Sequence, residues 1–132
     1  AQLPNLVPEG WVQTYADVGT KTRRFVSPDG QSIMTSSESE AHRDSLQRDM
    51  DRIAYHSGER ITYQRRGDGW IAVSGYRDGH IFYRKSNLAC GGSRWHNIEL
   101  EYPMEDKRRM DSPVTQIAHD LTRYREDCGK DN

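Results

Sequence analysis

Leu, Ile, Val and Phe are scarce in this chain, numbering only 21 of 132 residues. At that share a strongly charged chain would stay disordered. An excess of one charge is missing too: 19 basic residues nearly cancel 20 acidic ones, leaving a net charge of −1. With 12 aromatic residues present, the expectation is a folded, highly polar-surfaced domain. The charge balance also removes the general electrostatic argument for a nucleic-acid partner. No stretch approaches the ~18 consecutive apolar residues of a membrane span. The length suits one domain, able to bury about 68% of the surface that its unfolded form exposes.

Cysteine is limited to Cys90 and Cys128, with no C-x-x-C pair, and the five histidines (His42, His56, His80, His96 and His119) are scattered. That pattern predicts no metal site. Nor does any Gly-rich loop open a helix with Lys and Ser/Thr following, so a phosphate cradle and its nucleotide cofactors are not expected. The chain begins Ala1-Gln2-Leu3-Pro4-Asn5, as it would behind a cleaved signal site or after trimming of a longer chain. Removal of a signal implies an oxidising compartment, periplasmic or secreted, where Cys90 and Cys128 form a candidate disulfide. Closing that loop of about 38 residues would stabilise the fold by ~4 kcal/mol. The alternative is a small buried Cys90 at a strand end and a separate tail thiol at Cys128.

Periodicity organises the rest. Residues 1–10 carry two prolines and no sustained period, so they read as an extended entry. Alternation predicts a strand over Trp11–Asp17, then a hairpin of Thr22–Ser27 and Gln31–Ser36 around Ser27-Pro28-Asp29-Gly30. Leu46, Met50, Ile53 and Ala54 then fall at helical spacing. Ser37 and Glu40 fit a capping box and Gly58 a stop signal, which places a helix over residues 38–57. Four strands follow: Glu59–Arg65, Trp70–Tyr76, His80–Ala89 and Arg94–Tyr102. Their junctions are Gly67-Asp68-Gly69, Arg77-Asp78-Gly79 and Cys90-Gly91-Gly92-Ser93, which predicts an antiparallel meander. Pro103 closes the last strand. Asp111 or Ser112 then caps a second helix with Pro113 at its first position, running to Arg125. Val114, Ile117, Ala118 and Leu121 would form its inward face, with Met110 as a staple before it. The prediction is one α+β domain over residues 11–126, with six or seven antiparallel strands, two main helices and a polar tail at 127–132.

Side-chain chemistry offers few catalytic arrangements. Ser74-Gly75 lacks the G-x that precedes a nucleophile elbow. Cys90 and His96, six residues apart, are the one conceivable thiolate pair, set against a turn with a buried cysteine. Glu99 and Glu101 share a strand face about 7 Å apart, which suits salt links to Arg94 or Arg84 better than acid–base work. Arg65-Arg66 and Lys107-Arg108-Arg109 read as exposed turn and helix-start residues. Trp95 falls on the face opposite Ile98, Leu100 and Tyr102, beside Asn97 and Glu99. If the helices cover only the other face, Trp95 is exposed and anchors a partner. Trp95, Asn97 and Glu99 are therefore the candidate binding residues.

The element order resembles the PsbP-like fold, also seen in DcrB-like bacterial lipoproteins and the Ran-binding Mog-type proteins. A second resemblance rests on Glu59-Arg60-Ile61-Thr62-Tyr63, Trp70-Ile71-Ala72-Val73-Ser74-Gly75, Ile81-Phe82-Tyr83-Arg84-Lys85, Ala89-Cys90-Gly91-Gly92 and Trp95 to Pro103. Phe25 with Ser27-Pro28-Asp29-Gly30 extends it upstream. These segments are similar to an exported domain family of unknown function common in rhizobial-type bacteria. The resemblance implies a fold and an exported location but no activity. It makes Cys90 part of the family pattern and leaves Cys128 outside it. The expectation is a non-enzymatic exported module whose partner is a protein or envelope component. The alternatives are a small hydrolase or redox enzyme using Cys90 and His96, and an inhibitor of an envelope hydrolase.

Overall fold

A computed structural model describes residues 6–121 of the chain. Strands β1 (Val12–Asp17), β2 (Thr22–Val26) and β3 (Ile33–Glu40) lead through a short 3-10 turn into helix α1 (Leu46–Ala54). The meander β4 (Arg60–Gly67), β5 (Trp70–Arg77), β6 (His80–Ala89) and β7 (Arg94–Pro103) follows, and helix α2 (Lys107–Leu121) ends the described part. All seven strands lie in one sheet, in the order β1-β2-β3-β7-β6-β5-β4, with every neighbouring pair antiparallel. The fold is α+β, as the alternation and turn residues predict.

Two hairpin series therefore meet at one seam, where β3 pairs with β7 from Ile33 opposite Glu101 to Glu40 opposite Arg94. The helices cover opposite faces of the sheet. On one, α2 contributes Met110, Ile117 and Leu121 to a core with Phe25, Met34, Ile81, Ile98, Leu100 and Tyr102. On the other, α1 contributes Met50 and Ala54 to a core with Ile71, Val73, Phe82 and Trp95. A sheet covered on both sides explains why β5 carries apolar residues at successive positions, with Ile71, Ala72 and Val73 all buried.

At two positions the backbone geometry decides the residue. Gly75 lies where β4 bulges between Ile61 and Tyr63, and a Cβ there would stand 2.0 Å from the Arg60 carbonyl oxygen. The β6–β7 connection takes three consecutive positive φ angles, at Cys90, Gly91 and Gly92, a run in which two glycines lower the steric cost. In the turn between β2 and β3, Asp29 accepts from the Ser27 hydroxyl and the Gln31 amide. Those bonds hold its carboxyl down to about 2.

Three boundaries differ from expectation. The strand β3 runs on to Glu40, so Ser37 and Glu40 are strand residues rather than a capping box, and Ser37 stands opposite Asn97. Pairing with β7 outweighs the local capping signal. Helix α1 is correspondingly shorter, and its C-terminal neighbour Tyr55 is already extended. Helix α2 starts at Lys107, so Pro113 sits inside it rather than at its first turn. Met110 is thus part of the buried face itself, spaced with Val114, Ile117 and Leu121 along successive turns. The expected helix end at Arg125 and the tail at 127–132 lie outside the described residues.

Candidate functional site

A cleft of about 640 Å³ opens beside α1, on the face of the sheet that this helix only partly covers. That size falls within the ~300–1,000 Å³ of small-molecule sites. Its floor crosses the β3–β7 seam: Thr35, Ser37 and Ser39 come from β3, Asn97 and Glu99 from β7, and Ser86 from β6. Arg24 on β2 closes one end, while Glu40 and His42 lie toward the other. Helix α1 and the turn after it supply Asp49, Arg52, Ile53 and His56.

Asp49 ties this wall to the floor. Its side chain is buried, and Oδ2 accepts from the backbone N–H of His42 at 2.8 Å and from the Trp95 indole at 2.9 Å. Oδ1 lies 2.8 Å from His42 Nδ1 and also accepts from the Arg52 guanidinium. Burial pushes the Asp49 carboxyl up, but the bonds from His42 and Trp95 more than offset it, leaving it below its ordinary value.

A second charged network lies beneath the other end of α1. Glu59, whose side chain is fully buried, accepts from both terminal nitrogens of Arg84, at 2.7 and 2.8 Å, and from Arg77 at 2.7 Å. Arg77 also donates to Glu101 at 2.6 Å and to Glu99 at 3.2 Å. Arg84 Nε donates to the Ile53 carbonyl at 2.7 Å, and its neighbouring nitrogen to Ala54 at 3.3 Å. A guanidinium thus meets the last carbonyls of α1, where a helix favours positive charge. Both arginines lie over the Phe82 ring, at 5.3 Å and 4.8 Å from its centroid. Burial raises Glu59, yet the Arg84 hydrogen bonds and charge bring it below its ordinary value.

Between these networks the floor is a line of neutral polar groups. The Ser86 hydroxyl, on a residue only 2% exposed, donates to Asn97 Oδ1 at 2.6 Å. Asn97 Nδ2 donates to Ser39 Oγ at 3.1 Å and to Ser37 Oγ at 3.5 Å.

Trp95, Asn97 and Glu99, chosen from strand alternation, all line this cleft. Trp95, however, is 1% exposed, because α1 covers its face. The ring is a buried wall post bonded to Asp49, and the exposed-anchor expectation does not hold. Glu99 bonds Arg77 and approaches Arg84, as expected for a salt link, whereas Arg94 turns to Glu38 at 3.0 Å. Sequence offered none of Arg24, Ser37, Ser39 and Ser86 as a binding residue, and Ser37 entered only as a helix cap. The strand alternation of β6 and of β3 was the one available signal for the serines.

Cys90 stands in the 3-10 turn after β6 and is disulfide-bonded; the expected partner, Cys128, lies outside the described residues. His96 is buried on the α2 side of β7, with Nε2 3.5 Å from Glu38. Among the described residues, no three His, Cys, Asp or Glu side chains group in a metal-holding arrangement, and no helix is long and apolar enough to cross a membrane. No protein-family model and no curated protein matches this chain.

Proposed function

We propose that this chain is a non-enzymatic, exported binding module that takes a polar compound of the envelope or its surroundings into the cleft beside α1. The observation that carries the reading is the cleft floor: hydroxyl and amide side chains from three strands converge on one side, with charged groups at both ends. Convergent polar groups in a concave site are what orient a ligand. The interaction now rests on a recess rather than on exposed rings. Trp95, Phe82 and Tyr102 are buried; of the exposed large hydrophobics, Val12, Tyr15 and Val18 belong to β1 and the turn after it, and Tyr55, Tyr63 and Met104 to three other segments.

A disulfide-bonded Cys90 supports an oxidising, periplasmic or secreted address. It also weighs against hydrolysis by Cys90 and His96, since a sulfur held in a disulfide presents no thiolate to attack with. The α+β sheet with two helices is compatible with a PsbP-like kinship.

Titration of ¹⁵N-labelled protein with amino acids, neutral sugars, acidic sugars and dicarboxylates tests the reading. One class should shift the amides of residues 35–39 and 95–99 saturably and raise the melting temperature. If no class does so at millimolar concentration, or if Cys90 alkylates rapidly near neutral pH, the binding-module reading fails.

A further inference from the structure

We propose that the ligand is an acidic sugar, whose carboxylate docks at Arg24 and the adjoining β3 hydroxyls; this inference rests on the cleft reading above and specifies its chemistry. The first argument is the direction of the hydrogen bonds in the floor. The 2.6 Å contact between Ser86 Oγ and Asn97 has the length of an O–H···O bond and is short for N–H···O. The amide oxygen therefore faces β6 and the amide nitrogen faces β3, which agrees with its longer contacts to Ser39 and Ser37. A serine oxygen that accepts from Asn97 keeps its own hydrogen to give away. The buried Ser86 thus sets, through Asn97, two hydroxyls on β3 as donors to whatever fills the cleft.

The second argument is charge. Among the described residues, three guanidinium groups line the cleft, and two are matched: Arg52 to Asp49, and Arg84 to Glu59. Arg24 instead lies over the Tyr15 ring, 5.3 Å from its centroid, exposed and opposite Thr35 in the register. Among the cleft acids, Asp49 bonds His42, Trp95 and Arg52, and Glu99 bonds Arg77. Glu40, 3.9 Å from His42, is at the far end of β3. A ligand therefore meets positive charge at the Arg24 end, hydroxyl donors along the middle and a carboxylate acceptor at the Glu40 end. A carboxylate followed by sugar hydroxyls satisfies all three. From Thr35 to Ser39 the strand rises about 13 Å, which is room for more than one sugar ring.

The test compares digalacturonate, maltose and inorganic phosphate by calorimetry and amide shifts on the whole chain. Digalacturonate is expected to bind about tenfold or more tightly than maltose, as one charge-assisted hydrogen bond requires. Arg24→Gln, at an exposed position, should erase that preference while the melting temperature holds. Asn97→Asp should abolish digalacturonate binding, because it replaces the donor facing β3 with a charge that attracts the serine hydrogens. Equal binding of maltose and digalacturonate, or a preference that survives Arg24→Gln, overturns the acid assignment and leaves the binding cleft standing. Phosphate competing as well as digalacturonate overturns the sugar part. No response of the cleft amides to any compound of the wider panel overturns the binding-module reading itself.

Discussion

Trp95 and Asp49 are joined by a buried hydrogen bond, indole Nε1 to Oδ2 at 2.9 Å, that fixes α1 to the central strand of the sheet. Trp95→Phe keeps a ring but removes the donor. Asp49 then keeps its charge in a buried place with one bond fewer, a loss worth about 1–3 kcal/mol. Urea unfolding of the two proteins measures it, and an unchanged midpoint would refute the role given to this bond.

The same carboxylate makes stability depend on acid. Asp49 and Glu59 both titrate below their ordinary values in the folded protein, so the folded state favours their charged forms. The stabilisation is fully present above the unfolded pKa values, about 3.9 for Asp and 4.3 for Glu, and is lost as pH falls through the lower folded values. Unfolding midpoints measured from pH 6 down to 2 should drop over that window. Asp49→Asn should flatten part of the drop, and an unaltered acid limb would contradict it.

Removing Arg84 should cost more than removing the pair. Arg84→Met leaves the buried Glu59 with Arg77 as its remaining hydrogen-bond donor, and His56 at 3.8 Å, and takes the donors from the end of α1, a change of about 3–5 kcal/mol. Arg84→Met with Glu59→Gln should recover a large part of it in a double-mutant cycle. Additive losses would show that the two side chains act independently.

Much of this architecture was readable from residue order. The meander declares itself because β7 alternates from His96 to Tyr102 and because Asp78-Gly79 and Gly91-Gly92 supply positive φ where the chain reverses. Alternation in β7 also put Trp95, Asn97 and Glu99 on one face. What failed was long-range information. Ser37 and Glu40 mimic a helix start at 38–57, and only pairing with β7, some 60 residues later, makes them strand. The placement of Arg24 and Ser86 across the floor depends on which strands lie side by side, and local pattern does not encode that. Arg77 looked like a turn residue, yet it gathers three glutamates from two sequence regions.

Gly75→Ala should loosen one edge of the sheet. The added methyl meets the backbone of Arg60 and Ile61 rather than a side chain that can swing away. Overpacking of this kind costs about 1–3 kcal/mol. Hydrogen exchange should show protection lost in β4, while the β3–β7 amides stay protected. Uniform protection would refute the clash.

Tyr83 offers a spectroscopic check. Burial, with Tyr63 nearby, pushes its phenol up to about 12. Absorbance titration in alkali should show a late phenolate that Tyr83→Phe removes. Full ionisation of every tyrosine near pH 10 would rule out the packing described for this side chain.

The hydroxyl-lined floor spans the junction between the hairpins formed early in the chain and the meander formed late. A molecule held there touches both halves at once, so occupancy acts as a clasp on the finished sheet. Any compound with real affinity will therefore announce itself by delaying collapse of the whole barrier between the two helices, rather than by stiffening one loop.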